Sequence, residues 1–128
     1  MSQVKCRVLF IDDHQDTSEM FSLLLAEEYE VENAKSVAEA IELASTRQFD
    51  LYVLDKHLPD GSGIELCAKL NKLTPGVPCI FYTGDAYELQ RAEAIAAGAD
   101  GFVAKPDVES LIAHITQILA DKECSTSD

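Results

Sequence analysis

The chain has 128 residues, 47% of them hydrophobic and 26% charged, enough for one domain with a real core and too short for a second of ordinary size. Its formal charge of −13 argues against direct nucleic-acid binding, because phosphates would be repelled, and suits cations or basic protein partners. No leader opens the chain and no apolar run approaches membrane-spanning length, so a cytoplasmic location without membrane contact is expected.

Arg7-Val8-Leu9-Phe10-Ile11 reads as a first buried strand ending in Asp12-Asp13. Asp16 and Glu19 form a plausible capping box for a first helix, with Met20, Phe21, Leu24 and Leu25 as its apolar face. Tyr29 to Ala34 alternates with polar residues and suits a strand nearer an edge. A second capping box, Ser36 and Glu39, opens a helix whose stripe is Val37, Ala40, Ile41 and Ala44.

Leu51-Tyr52-Val53-Leu54 is a short apolar run that drives straight into Asp55. Bounded runs of this kind suit a strand buried on both faces, as in a parallel sheet. A loop with Pro59 and two glycines follows, then a helix from about Gly63 to Leu73 that packs Ile64, Leu66, Cys67 and Leu70. Val77 to Tyr82 makes the next strand, ending at Thr83-Gly84, and Asp85 with Glu88 caps an Ala-rich helix that stops near Gly98. Gly101 to Ala104 is a short last strand leading to Lys105-Pro106. Asp107 caps a final helix with Val108, Leu111, Ile112, Ile115 and Leu119 on its apolar side. Residues 1–122 form the domain, and 123–128 are a polar, frayed tail.

Five strands alternating with five helices imply an α/β fold, a doubly wound parallel sheet in a three-layer sandwich with right-handed crossovers. Strand order is open at this point. Cys6, Cys67, Cys79 and Cys124 form no C-x-x-C pair, and buried, reduced thiols are the expectation.

Asp12, Asp13, Asp55, Thr83 and Lys105 each follow the apolar run of a strand, and in a parallel sheet those ends share one edge, where ligands bind. Asp12-Asp13 alone would serve as a helix-entry acidic pair, and Asp55 or Thr83 alone as an ordinary turn cap. Together they are harder to dismiss. Two unit charges about 4 Å apart repel by roughly 4 kcal/mol at an effective dielectric near 20. A hard cation with oxygen ligands offsets that, and Mg²⁺ commonly takes one or two carboxylates while keeping several waters. Lys105 suits a phosphoryl oxygen, Thr83 offers a hydroxyl, and Asp55 is placed as a carboxylate nucleophile able to form an acyl phosphate.

These strings resemble a response-regulator receiver domain of two-component signalling, from about Lys5 to Asp121. Phe10-Ile11-Asp12-Asp13, Leu58-Pro59-Asp60-Gly61-Ser62-Gly63 and Ala97-Gly98-Ala99-Asp100-Gly101-Phe102-Val103-Ala104-Lys105-Pro106 carry the resemblance in wording and spacing. It implies a flavodoxin-like fold with strand order 2-1-3-4-5 and a cis Lys105-Pro106 bond. It implies Mg²⁺ held by Asp13, Asp55 and the backbone carbonyl of His57, with Asp12 binding directly or through water. Asp55 would accept a phosphoryl group from a phosphohistidine of a sensor histidine kinase or a histidine phosphotransfer protein. Thr83 and Lys105 would grip the phosphoryl oxygens, and Thr83 with Phe102 would switch the surface read by a downstream effector protein. The reaction is stoichiometric phosphorylation and dephosphorylation of the chain itself, not enzymatic turnover. Phe102 stands where Tyr is commoner, so its alternative is a plain core residue.

Lys56 and His57 read either as neighbours of the phosphoryl group or as solvated loop residues. His14 reads as an incidental loop residue or a partner contact, and His114 as solvent-facing. Three rival functions remain on the page. A pseudo-receiver, the same fold acting without phosphorylation, is disfavoured by the complete set of Asp13, Asp55, Thr83 and Lys105. An Mg²⁺-dependent phosphohydrolase with an Asp nucleophile commonly has a second Asp two residues on, where His57 stands. A flavin-binding protein needs a phosphate loop after the first strand, and Asp12-Asp13-His14-Gln15-Asp16 would repel phosphate. The chain carries no output segment of its own, so it is expected to be a stand-alone regulator or one domain of a larger protein.

Overall fold

The continuous apolar runs are the ones that become central strands, because each has side chains to bury on both faces. The computed structural model describes residues 5–84 and 88–120, the second range with side chains from Ala92 onward. Its elements are β1 (Cys6–Ile11), α1 (Gln15–Leu25), β2 (Tyr29–Ala34), α2 (Val37–Thr46), β3 (Leu51–Leu54), β4 (His57–Leu58), β5 (Gly61–Ser62), α3 (Gly63–Leu73), β6 (Cys79–Thr83), α4 (Glu88–Ala96), β7 (Gly101–Ala104) and α5 (Val108–Ala120). Five strands form one parallel sheet in the order β2-β1-β3-β6-β7. Setting aside the small β4-β5 hairpin, that is the expected order 2-1-3-4-5 of a flavodoxin-like sandwich.

The period of two along each strand divides the core into two layers. Leu9, Ile11, Tyr52, Leu54 and Phe81 pack with Leu66, Cys67 and Leu70 of α3 and with Ala40 and Ala44 of α2. The alternate residues Val8, Phe10, Leu51, Val53 and Ile80 pack with Phe21 and Leu25 of α1 and with Leu111, Ile115 and Leu119 of α5. Phe21 is stacked on Phe10 at 5.0 Å and meets Tyr82 edge-on at 5.5 Å. As expected, β2 is an edge strand, paired only with β1 among the described residues.

Several local expectations need correction. Asp16 does not cap α1. His14 holds the N-cap position without a side-chain capping bond, because Asp12 Oδ1 takes the His14 amide at 2.8 Å and the chain turns earlier. Asp16 therefore lies in the first turn, where a carboxylate still complements the helix dipole. The apolar face of α1 is also narrower than expected. Phe21 and Leu25 are buried, whereas Met20 and Leu24 flank that stripe and are 37% and 54% exposed.

The second capping box is present in modified form. Ser36 Oγ accepts the Glu39 amide at 3.1 Å, while the Glu39 carboxylate reaches back to the Lys35 amide at 2.7 Å. The box at Asp85 and Glu88 lies outside the residues whose side chains are described. The fourth sheet strand starts at Cys79, not Val77: Val77 donates its amide to the preceding turn at Thr74, and Pro78 has none to give. Gly98 ends the α4 region with a φ of 103°, and Asp107 caps α5 through the Ser110 amide at 3.1 Å.

Cys67 and Cys79 are free and buried as expected. Cys6 departs from the expectation, being disulfide-bonded. Strand spacing shows only that this residue is buried and says nothing of a covalent bond at its sulfur. Cys124 and the tail of 123–128 lie outside the described residues. No described helix is long and apolar enough to cross a membrane.

Candidate functional site

The site is built by ladder bonds that run one residue past the strands. Ile11 of β1 lies opposite Leu54 of β3, so the next residues, Asp12 and Asp55, emerge side by side. The Asp12 amide donates to Ala34 O at 3.0 Å and the Asp55 amide to Ile11 O at 2.9 Å. Thr83 pairs with Ala104, and the Lys105 amide then donates to Thr83 O at 2.8 Å. Four strands thus deliver two acids, a hydroxyl residue and a lysine to one edge. The Lys105-Pro106 bond is cis, as the resemblance implied.

Asp12 and Asp55 are held alike. Each side chain accepts the backbone amide two residues on, His14 at 2.8 Å and His57 at 3.3 Å. Both carboxylates are about as buried as the core, while Asp13 is 41% exposed at its side chain. Lys105 Nζ spans the pair, 2.8 Å from Asp12 Oδ2 and 3.0 Å from Asp55 Oδ2. Burial by itself would lower the Lys105 pKa; hydrogen bonds and charge from Asp12 and Asp55 outweigh it and hold the ammonium above its ordinary value. One ammonium against three carboxylates leaves the cluster short of positive charge.

Asp12, Asp13, His14 and Asp55 each offer a ligand atom, and those atoms all lie within 4.8 Å of one another. The donor set is hard oxygen plus one imidazole, at a spacing a divalent ion can bridge, so the residues fit Mg²⁺. A cleft of about 540 Å³ lies over them, lined by Asp13, His14, Thr17, Asp55, His57, Thr83, Gly84 and Lys105. Every residue expected at the metal and the phosphoryl group therefore borders or enters one site. Phe102 does not line that cleft. It is half-buried against the layer containing Leu9, Leu54 and Phe81.

His14, expected as an incidental loop residue or a partner contact, lies inside the acidic cluster. Its Nδ1 lies 2.8 Å from Asp12 Oδ1, 3.4 Å from Asp13 Oδ1 and 3.7 Å from Asp55 Oδ2. The only signal in the sequence was its position next to the acidic pair. Lys56 is not a loose solvated residue either, since its ammonium lies 3.5 Å from Glu93 of α4. His57 is exposed and begins the β4-β5 hairpin, where a plain loop was expected.

Comparison with known proteins agrees with this geometry. A family model described as the response regulator receiver domain matches residues 8–116. A DNA-binding transcriptional activator of Mycobacterium tuberculosis, DevR/DosR, is 37% identical over 102 residues, covering 77% of this chain and 47% of the activator. This chain thus spans about half the length of the curated relatives it matches. That a relative binds DNA leaves the expected absence of nucleic-acid binding without support. A CheY-like receiver domain protein from Methanospirillum hungatei superposes with a TM-score of 0.87 at 32% identity, covering 92% of this chain and 96% of that one. A response regulator from Burkholderia pseudomallei, solved with a phosphorylated aspartic acid and a calcium ion, gives 0.79 at 31% identity over 91% of this chain and 72% of that one. With the matching fold, the acidic strand-end cluster and the family match over most of its length, the chain belongs to the response regulator receiver domain family.

Proposed function

We propose that this chain accepts a phosphoryl group on Asp55 from a phosphohistidine, with Mg²⁺ bound beside it. The observation that carries the proposal is the reach of Lys105 across the sheet edge to both Asp12 and Asp55. That contact joins the last strand to the first and third, at acids whose amides are each held by a neighbouring strand, Asp12 by Ala34 O and Asp55 by Ile11 O. The Burkholderia regulator, with its phosphorylated aspartate and calcium ion, supports the same assignment by likeness.

An Asp55 carboxylate oxygen attacks the phosphorus, the P–N bond to the donor imidazole breaks, and that nitrogen takes up a proton. Asp13, Asp55 and the His57 carbonyl would hold Mg²⁺, with Asp12 joining directly or through water, and the ion would supply charge neutralisation for the transferring group. Lys105 leaves its hydrogen bond to Asp55 for a phosphoryl oxygen, and the Thr83 hydroxyl takes another. Pull on Thr83 then frees Phe102 to turn inward and alter the surface around α4, β7 and α5. The donor is a sensor histidine kinase or a histidine phosphotransfer protein, and the changed surface is read by an effector protein or by further segments of a longer chain.

The test is incubation with acetyl phosphate and Mg²⁺, followed by intact-mass analysis and peptide mapping. One phosphoryl group should appear per chain, on Asp55, and Asp55→Ala should abolish it. Labelling that persists in Asp55→Ala would sink the assignment. Repeated release of phosphate from small esters would instead favour a hydrolase.

A further inference from the structure

Resting on the reading of the acidic cluster as a metal site, we propose that His14 Nδ1 is itself a metal ligand. The site is then a mixed nitrogen–oxygen site, able to take first-row transition-metal dications more tightly than an all-oxygen set would. Three observations support it. First, in an octahedral ion with metal–ligand distances near 2.1 Å, neighbouring ligand atoms lie about 3 Å apart and opposite ones about 4 Å. The separations of His14 Nδ1 from the Asp12, Asp13 and Asp55 oxygens, 2.8, 3.4 and 3.7 Å, fall across that range.

Second, the imidazole is not used to cap the helix, and its one short contact, Nδ1 to Asp12 Oδ1 at 2.8 Å, is to a member of the cluster itself. His14 is the N-cap of α1, yet its side chain makes no capping bond. Its backbone is anchored by Asp12 Oδ1, the same carboxylate the ring faces, so little rearrangement separates the present geometry from ligation. Third, Lys105 already pairs with Asp12 Oδ2 and Asp55 Oδ2, at 2.8 and 3.0 Å, and is one positive charge among three acids. Three carboxylates and one ammonium leave two negative charges, which a dication matches and a single imidazolium does not.

Imidazole nitrogen suits Mn²⁺ less than Ni²⁺ or Zn²⁺, and all three more than Mg²⁺, which prefers oxygen and keeps its waters. Replacing one water by His14 therefore changes which metals the site holds. The same contacts would also arise from a plain ion pair between His14 and the carboxylates, and the experiment separates the two.

The probe is Mn²⁺ added to the whole chain and read by pulsed electron paramagnetic resonance, with calorimetry for Ni²⁺ and Mg²⁺. The expected result is a directly coordinated imidazole ¹⁴N signal that is lost in His14→Ala and in His14→Asn and retained in His57→Ala. Asn is a good N-cap residue, so its helix start is preserved. Ni²⁺ affinity should fall at least about tenfold in both His14 variants, with Mg²⁺ affinity changing much less. Absence of the nitrogen signal from the unmodified protein overturns the proposal, as does its persistence in both variants or an equal loss for Ni²⁺ and Mg²⁺. If Asp55 is still phosphorylated with Mg²⁺ in that case, only the His14 ligand fails. If no dication binds at all, the metal reading fails with it.

Discussion

Gly63 and Asp55 are in backbone contact. The Gly63 amide donates to Lys56 O at 2.7 Å, and a Cβ on Gly63 would overlap the Asp55 carbonyl oxygen. The start of α3 is thus pressed against the proposed nucleophile's own peptide. Only a residue without a side chain permits that approach. The β4-β5 hairpin between them, closed by Pro59-Asp60, makes the excursion short enough for the contact to form.

Gly63→Ala should therefore cost about 3 kcal/mol of stability, since the obstacle is rigid backbone. It should also displace Asp55 and slow phosphorylation by acetyl phosphate on the order of 100-fold. Denaturant melts and the labelling rate check both. A variant with normal stability and rate would show that the contact is easily relieved.

Removing Lys105 leaves Asp12 and Asp55 buried without their shared cation. Lys105→Met should destabilise the metal-free protein by about 3 kcal/mol. Millimolar Mg²⁺ should then raise the melting temperature of the variant more than that of the parent, because the ion replaces the missing charge. Equal Mg²⁺ stabilisation in both proteins would contradict this account of the cluster.

Asp60 ties the hairpin to α2, with Oδ1 accepting the Val37 amide at 2.8 Å and Oδ2 the Ala38 amide at 3.1 Å. Those bonds, Val37 first and Ala38 second, hold its carboxyl below the usual carboxylate range. A depressed folded pKa gives stability that is present above the unfolded value, about pH 4, and lost as pH falls through the folded one. Asp60→Asn should melt at a lower temperature than the parent near pH 7. The gap should narrow as the pH is taken towards 3, and a gap that stays constant would refute the charge-assisted cap.

Cys67 and Cys79 both lie fully inside the layer between the sheet and α3. The Cys79 thiol is pushed up by its hydrogen bond with Cys67 and then by burial. Under native conditions both should react with a thiol reagent on the order of a thousandfold slower than after unfolding. Peptide mapping of a timed alkylation distinguishes them from the other cysteines. Rapid native labelling of either would place it outside the core.

Much of the fold was legible because it depends on pattern. Four-to-six-residue apolar runs separated by helical stripes specify a parallel sheet with two covered faces, and the residue after each run must then lie on one edge. Asp12, Asp55, Thr83 and Lys105 could be brought together on that ground alone. Where local signals compete, spacing along the chain misleads. Asp16 and Glu19 have the wording of a capping box, but a carboxylate at Asp12 captures the His14 amide first. Met20 and Leu24 have the right spacing for a core face, but only the Phe21–Leu25 stripe meets the sheet.

Which chemistry converges at the strand ends is written in residue order, because side-chain alternation and chain direction are local properties. Which atoms touch depends on the packing of distant segments. His14 faces three carboxylates only because the ladder sets Asp12 beside Asp55 and the turn into α1 folds back over them. Lys56 meets Glu93, and Gly63 meets Asp55, for the same reason. Such contacts depend on angstrom-scale positions of segments remote in sequence, and no spacing along the chain encodes those directly.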